Sequence, residues 1–154
     1  MILVAGATGQ VGLRLVEESN DARVAVTAMV RAEAKALDLP VSVDHVVATL
    51  DDPPPADMLR EFDRVFLMSP SHEEQAELEM GFVDALVTAG HRPRVVKLTA
   101  DGFQEPDCTV RFMRSHRQIA MHLERTGPPH HLPGAEPVHG EPGSRRRTRS
   151  GSRV

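Results

Sequence analysis

The chain has 154 residues, 40% of them hydrophobic, with five Phe, one Cys and neither Tyr nor Trp. That length suits one domain with a real core, no run approaches the roughly 18 apolar residues of a membrane helix, and a lone Cys108 excludes an internal disulfide and fits a reducing compartment. The net charge is −4, but residues 128–154 hold five Arg against two Glu, so the rest carries about −7 and argues against nucleic acid as the main partner.

The opening lacks the basic region and cleavage site of a signal peptide, so the cytoplasm is the expected location, with no membrane attachment. Its apolar run, Ile2-Leu3-Val4-Ala5, leads into Gly6, Gly9 and Gly12. Leu13, Leu15 and Val16 then continue at helical spacing, so the stretch reads as strand, tight turn and helix. Such a turn delivers backbone N–H groups and a helix N-terminus to one point, which suits a pyrophosphate. Gly6 permits the turn, Gly9 lets the phosphates approach without a Cβ, and Gly12 lets the helix close on the strand. The spacing is G-x-x-G-x-x-G rather than the usual G-x-G-x-x-G, and an ordinary strand–helix turn remains the alternative. Ala7, Thr8, Gln10 and Val11 complete the candidate loop.

Further along, Arg23 to Val30 reads as a second strand, ending in Arg31 and a short helical stretch containing Lys35. Basic residues just past a second strand can meet a ribose 2′-phosphate, or can simply be solvated surface charges. Val43 to Leu50 reads as a third strand, and Asp51-Asp52-Pro53-Pro54-Pro55 as a stiff acidic loop. Asp63 to Met68 is a fourth, closed by Ser69-Pro70, and Ser71-x-x-Glu74 then has the form of a capping box. The helix after it places Leu78, Phe82 and Leu86 on one face, with Val83 and Val87 beside them, and stops at Gly90. His72, in its first turn, reads as a solvent-facing side chain near the cofactor edge. Arg94 to Thr99 is the fifth strand, followed by a polar loop to Thr109 that could overhang the site and a helix over Val110 to Arg125. Cys108 reads as an incidental loop thiol.

Strands alternating with helices five times predict a doubly wound parallel α/β sheet with right-handed crossovers. The expected order is 3-2-1-4-5, with a cofactor at the carboxyl ends of strands one and four, where Met68 and Ser69 stand.

The opening residues resemble the NmrA-like branch of the atypical short-chain dehydrogenases/reductases, whose start is I-L-V-x-G-A-T-G-x-x-G. The resemblance covers residues 1–127 and implies a Rossmann-like NAD(P)-binding domain there. Val30-Arg31-Ala32-Glu33-Ala34-Lys35-Ala36 looks like the family's V-R-x-x-x-K-A, which implies NADP (NADPH) in preference to NAD. The family's third strand commonly ends in G-D-L, its Asp facing the adenine. Here Ala48-Thr49-Leu50 stand in its place, so that side chain is missing and Leu50 offers only its backbone. Arg94 to Thr99 resembles V-V-x-L-S/T-A, where the hydroxyl residue abuts the nicotinamide, so the resemblance makes Thr99 a candidate contact. Ser115 to Gly127 is similar to the family's H-R-x-x-E-x-x-L-x-x-S-G helix, without its Glu.

From Pro128 onward Pro, Gly, His and Arg dominate, and residues 128–154 are expected to be irregular or disordered. The family continues into a sixth strand x-P-x-T-I-L-R-P and then N-x-F-M-E-N. Back-translating His130 to Gly143 with suitable synonymous codons and reading one nucleotide later gives Thr-Ile-Phe-Arg-Ala-Pro-Asn-Leu-Phe-Met-Glu-Asn-Leu. The outer two bases of each shifted codon are dictated by the protein sequence. The tail is therefore expected to be a frameshifted reading of a longer gene, without the sixth strand and the substrate lobe.

With no tyrosine, the Tyr-x-x-x-Lys pair of the short-chain dehydrogenases is unavailable. No metal-ligand cluster and no Ser-His-Asp spacing stand out, and the catalytic residues stay unknown. Family members without the Tyr pair include NADPH-dependent quinone reductases and NADP-sensing regulators. The expected partner is accordingly a small electrophilic substrate, the cofactor carrying the reactive atom, or a regulatory protein. An inactive truncated product is a third reading.

Overall fold

The computed structural model describes residues 1–133. Its elements are β1 (Ile2–Val4), α1 (Gln10–Asp21), β2 (Val26–Val30), a 3₁₀ helix (Glu33–Asp38), β3 (Asp44–Val47), α2 (Ala56–Leu59), β4 (Arg64–Leu67), α3 (Gln75–Thr88), β5 (Arg94–Lys97), α4 (Arg111–Thr126) and β6 (His130–His131). All strand pairings are parallel, and the order is β3-β2-β1-β4-β5-β6. The doubly wound α/β sheet predicted from alternation is present, with one strand more than expected.

Alternation along each strand divides the core. Leu3, Val65, Leu67 and Val95 face α3 and α4, where they pack with Phe62, Phe82, Leu86, Ile119 and Leu123. Val4, Val26, Ala28 and Val30 face the opposite way, onto Val16 of α1 and onto Leu39 and Val43. β2 is buried at all five positions, as a central parallel strand covered on both faces should be.

Three expectations change. The Ser71–Glu74 capping box does not form: α3 begins at Gln75, and Glu74 at its N-cap makes no side-chain capping bond. A turn bonding the Gln75 amide to the His72 carbonyl delays the helix by several residues. The buried face of α3 consists of Gln75, Ala76, Glu79, Phe82, Val83 and Leu86, so Leu78 and Val87 sit at its margins.

The third change is at the C-terminal end of the described chain. Gly127 takes a left-handed conformation (φ 79°) that ends α4 and turns the chain back. Arg92 Nη1 donates to the Thr126 and Gly127 carbonyls and holds that turn (3.3 and 3.1 Å). The Val95 amide then bonds the Pro129 carbonyl and the Thr99 amide the Pro133 carbonyl. Residues 128–133 therefore form an ordered edge with a short sixth strand. Backbone pairing, which needs no apolar side chain, is what holds them. The expectations of a disordered tail and a shifted reading frame otherwise lie on residues 134–154, outside the described residues.

Candidate functional site

A cleft of about 770 Å³ opens at the carboxyl ends of the central strands. Its floor is the β1–α1 turn. Gly6 adopts φ +75°, and a Cβ there would stand 2.7 Å from the Met68 carbonyl oxygen, so only glycine fits. A Cβ on Gly12 would collide with the Gly6 carbonyl, which is how α1 comes close against the strand. Gly9 is the N-cap of α1, with extended backbone and no side-chain capping bond, and the first turn carries no acidic residue. The leading amides of α1 are thus left without an internal acceptor, and the helix dipole adds positive potential at the same spot. These residues fit a diphosphate.

Of the residues singled out from sequence, Gly6, Thr8, Gly9, Arg31, Lys35, Leu50, Met68 and Ser69 line this one cleft. Arg31 is exposed and has no ion-pair partner among the described residues, whereas Lys35 Nζ lies 3.4 Å from Asp38 Oδ2. Ala7, Gln10, Val11 and Thr99 are not among the lining residues. The Ala7 side chain is buried in the core under the turn. Gln10 and Val11 belong to the first turn of α1: their side chains are exposed, and their amides are among the leading N–H groups that have no acceptor within the helix. Thr99 is drawn away: its hydroxyl donates to the Pro133 carbonyl oxygen at 2.7 Å. The returning β6 segment, absent from the sequence expectation, claims it. The loop 100–109 contributes nothing to the lining either, and its Phe103 is buried.

Other lining residues had been read differently. His72, expected to face solvent, is half-buried on the cleft wall. Asp51, read as plain loop, lines the cleft two residues beyond the position where the family's acidic side chain was missed, so a carboxylate is present there after all. Met29 and Ala48 supply apolar wall, and an apolar residue near the carboxyl end of the second and third strand stretches was the available signal.

Behind Ser69 lies a buried polar cluster. The Ser69 hydroxyl donates to Glu79 Oε1 at 2.7 Å, and Gln75 Nε2 approaches the same oxygen at 3.4 Å. Glu79 Oε2 pairs with Lys97 Nζ at 3.0 Å, and Lys97 also donates to the Leu98 carbonyl at 2.6 Å. Burial pushes the Lys97 ammonium below its ordinary range, against the opposing pull of Glu79. His116, nearby on α4, is lowered to about 4, first by burial and then by the Lys97 charge. Among the described residues no group of three His, Cys, Asp or Glu is placed to hold a metal, and no helix is long and apolar enough to cross a membrane. Cys108 is half-buried, its thiol 3.3 Å from the Met113 sulfur.

A parallel sheet whose first crossover opens on an uncapped helix beside a glycine turn defines a dinucleotide-binding α/β domain. The chain belongs to the NAD(P)H-binding family, whose model matches residues 6–125. It is similar in structure to an NADPH-dependent quinone oxidoreductase from Escherichia coli complexed with NADPH (23% identity, TM-score 0.70, covering 86% of this chain and 47% of that one). The triphenylmethane reductase of Citrobacter sp. complexed with NADP(H) is another such relative (21%, TM-score 0.67, 86% and 48%). A putative NAD-dependent epimerase/dehydratase from Bacillus halodurans is a third (20%, TM-score 0.73, 85% and 67%). At these identities the likeness is one of fold. The chain spans about half the length of the first two proteins. No curated protein matches it significantly.

Proposed function

We propose that the chain binds NADPH in this cleft and works as the nucleotide-binding part of a cytoplasmic NADPH-dependent oxidoreductase acting on a small quinone-like electrophile. The observation that carries the reading is the meeting, in one cleft, of the open N-terminus of α1 with Arg31. The α1 amides and the Gly6–Gly9 turn hold the diphosphate, with Ala7, Thr8, Gln10 and Val11 supplying backbone around it. Arg31, helped by Lys35, meets the 2′-phosphate and sets the preference over NADH. Met29, Ala48 and Leu50 enclose the adenine on the β2–β3 side. Met68 and Ser69 border the other half of the cofactor, on the β4 side.

When bound, NADPH supplies the hydride; the protein's share is to orient it and to exclude water. A quinone suits such a site, because its reduction asks less of an acid than reduction of an isolated carbonyl does, and the chain has no tyrosine to serve as one. Two arms test the reading. Titration with NADPH and NADH, followed by fluorescence or calorimetry, should show saturable binding that favours NADPH. NADPH oxidation is then followed with a panel of quinones. The engaged Thr99 hydroxyl favours a second reading, a dinucleotide-sensing regulator that binds without turnover and acts through a protein partner. Tight NADPH binding with no oxidation by any quinone would select it.

A further inference from the structure

Across the sheet, the cleft-lining segments follow one another in a line. Leu50 follows β3, Arg31 follows β2, the glycine turn follows β1 and Ser69 follows β4, in the strand order β3-β2-β1-β4. A dinucleotide with its diphosphate on the glycine turn and its adenosine half toward Arg31 therefore lays its nicotinamide riboside half toward Ser69. This placement rests on the NADPH reading above.

Ser69 does not meet that half as a free rotor. A serine hydroxyl has one proton to give and two lone pairs. Glu79 Oε1, 2.7 Å away, takes the proton. The direction follows from the acceptor: Glu79 faces the Lys97 ammonium through its other oxygen, Oε2, at 3.0 Å, and a carboxylate so paired has no proton of its own to give, so Oε1 accepts. Glu79, Lys97 and Gln75 are each at most 1% exposed, so bulk water does not compete with Ser69 for the carboxylate. A bond to a buried, paired carboxylate is also stronger than one between neutral groups.

We infer that Ser69, its proton held from behind by Glu79 and Lys97, presents only lone pairs to the cleft and so selects a hydrogen-bond donor on the nicotinamide riboside half of the ligand. Two groups there carry such a donor, the carboxamide NH₂ and the ribose hydroxyls. Ser69 touches the ligand; Glu79 and Lys97 are positioning residues that fix the polarity of that contact.

The test measures affinity for NADP⁺ beside two analogues. One is the 3-acetylpyridine dinucleotide phosphate, in which a methyl group replaces the amide nitrogen. The other carries a 2′,3′-dideoxyribose on the nicotinamide side. The wild-type chain should bind one of them about tenfold more weakly than NADP⁺, the usual value of one such bond, and which one identifies the donor. Ser69→Ala should lower NADP⁺ affinity by a similar factor and bind that analogue no worse than NADP⁺. In Glu79→Gln, Lys97 draws the amide oxygen and turns the amide nitrogen toward Ser69, freeing the hydroxyl proton for the cleft. The discrimination should then vanish although Ser69 is intact, an outcome that a merely structural role for Glu79 would not produce. Equal binding of NADP⁺ and both analogues by the wild type overturns the inference, as does discrimination that survives Ser69→Ala. The Ser69→Ala arm decides even if circular dichroism shows Glu79→Gln unfolded. A wild-type chain that binds no NADP⁺ at all sinks the NADPH reading, and this inference with it.

Discussion

Gly12 packs so closely on the carbonyl of Gly6 that no side-chain carbon fits between them, while a Cβ on Gly9 would stand 3.3 Å from the same oxygen, a tight contact that a shift of a few tenths of an ångström would relieve. The two glycines therefore serve different ends. Gly12→Ala forces α1 off the strand and should cost about 1–3 kcal/mol in urea unfolding, the usual range for overpacking. Gly9→Val should cost less stability than Gly12→Ala and leave the chain folded, yet abolish NADPH binding by filling the space the phosphates need. A Gly9→Val protein that is folded and still binds NADPH normally would remove the diphosphate from this turn.

Arg31 is the exposed cation of the cleft without an ion-pair partner among the described residues. Its replacement by alanine should weaken NADPH about tenfold, the lower end for a charge-assisted bond at an exposed site, and leave NADH within about twofold. Raising the salt concentration should erode the wild-type preference in the same direction. Equal losses for both cofactors would refute the 2′-phosphate assignment. Lys35→Ala should do less, since Asp38 already competes for that ammonium.

How far these residues could be read in advance follows from the kind of signal each one gives. The glycine turn and the central strands were legible because burial on both faces writes a continuous apolar run, and because a close approach demands glycine at fixed spacing. Glu79 and Lys97 were not, since a charged residue reads as solvated by default. Their positions nonetheless carried the information: Glu79 shares a helical stripe with Gln75, Phe82, Val83 and Leu86, and Lys97 stands two residues after Val95 on the same side of β5. β6 escaped because its pairing is made by backbone groups of a His- and Pro-rich segment without apolar periodicity. That omission also hid the partner of the Thr99 hydroxyl, which lies 34 residues away.

The same buried pair makes a stability prediction. Lys97→Met leaves Glu79 enclosed without its counter-ion and should cost about 3–5 kcal/mol. Replacing both residues with methionine removes the uncompensated charge and should recover much of that loss. A residue of about 1–3 kcal/mol should remain, because Ser69 and Gln75 lose their acceptor. Chemical unfolding of the two variants checks the order; a double variant less stable than Lys97→Met would contradict it.

His116 sets the acid side of the stability curve. Burial, then the Lys97 charge, hold it at about 4 instead of the ordinary 6.5, and Phe112 packs edge-on to its ring at 6.3 Å. A depressed histidine is protonated more readily in the unfolded chain. Its neutral form therefore costs nothing above about pH 6.5, and stability declines as the pH falls from there toward 4. Because the imidazole is only half-buried, solvent screening limits the total loss to about 1–2 kcal/mol. Asp63, lowered chiefly by its bond to the N-terminal amine, acts in a different window, below its ordinary 3.8. Urea midpoints at pH 7, 5.5 and 4.5 should therefore fall less steeply for His116→Gln than for the wild type. Parallel curves would show that His116 takes up its proton equally well in the folded chain.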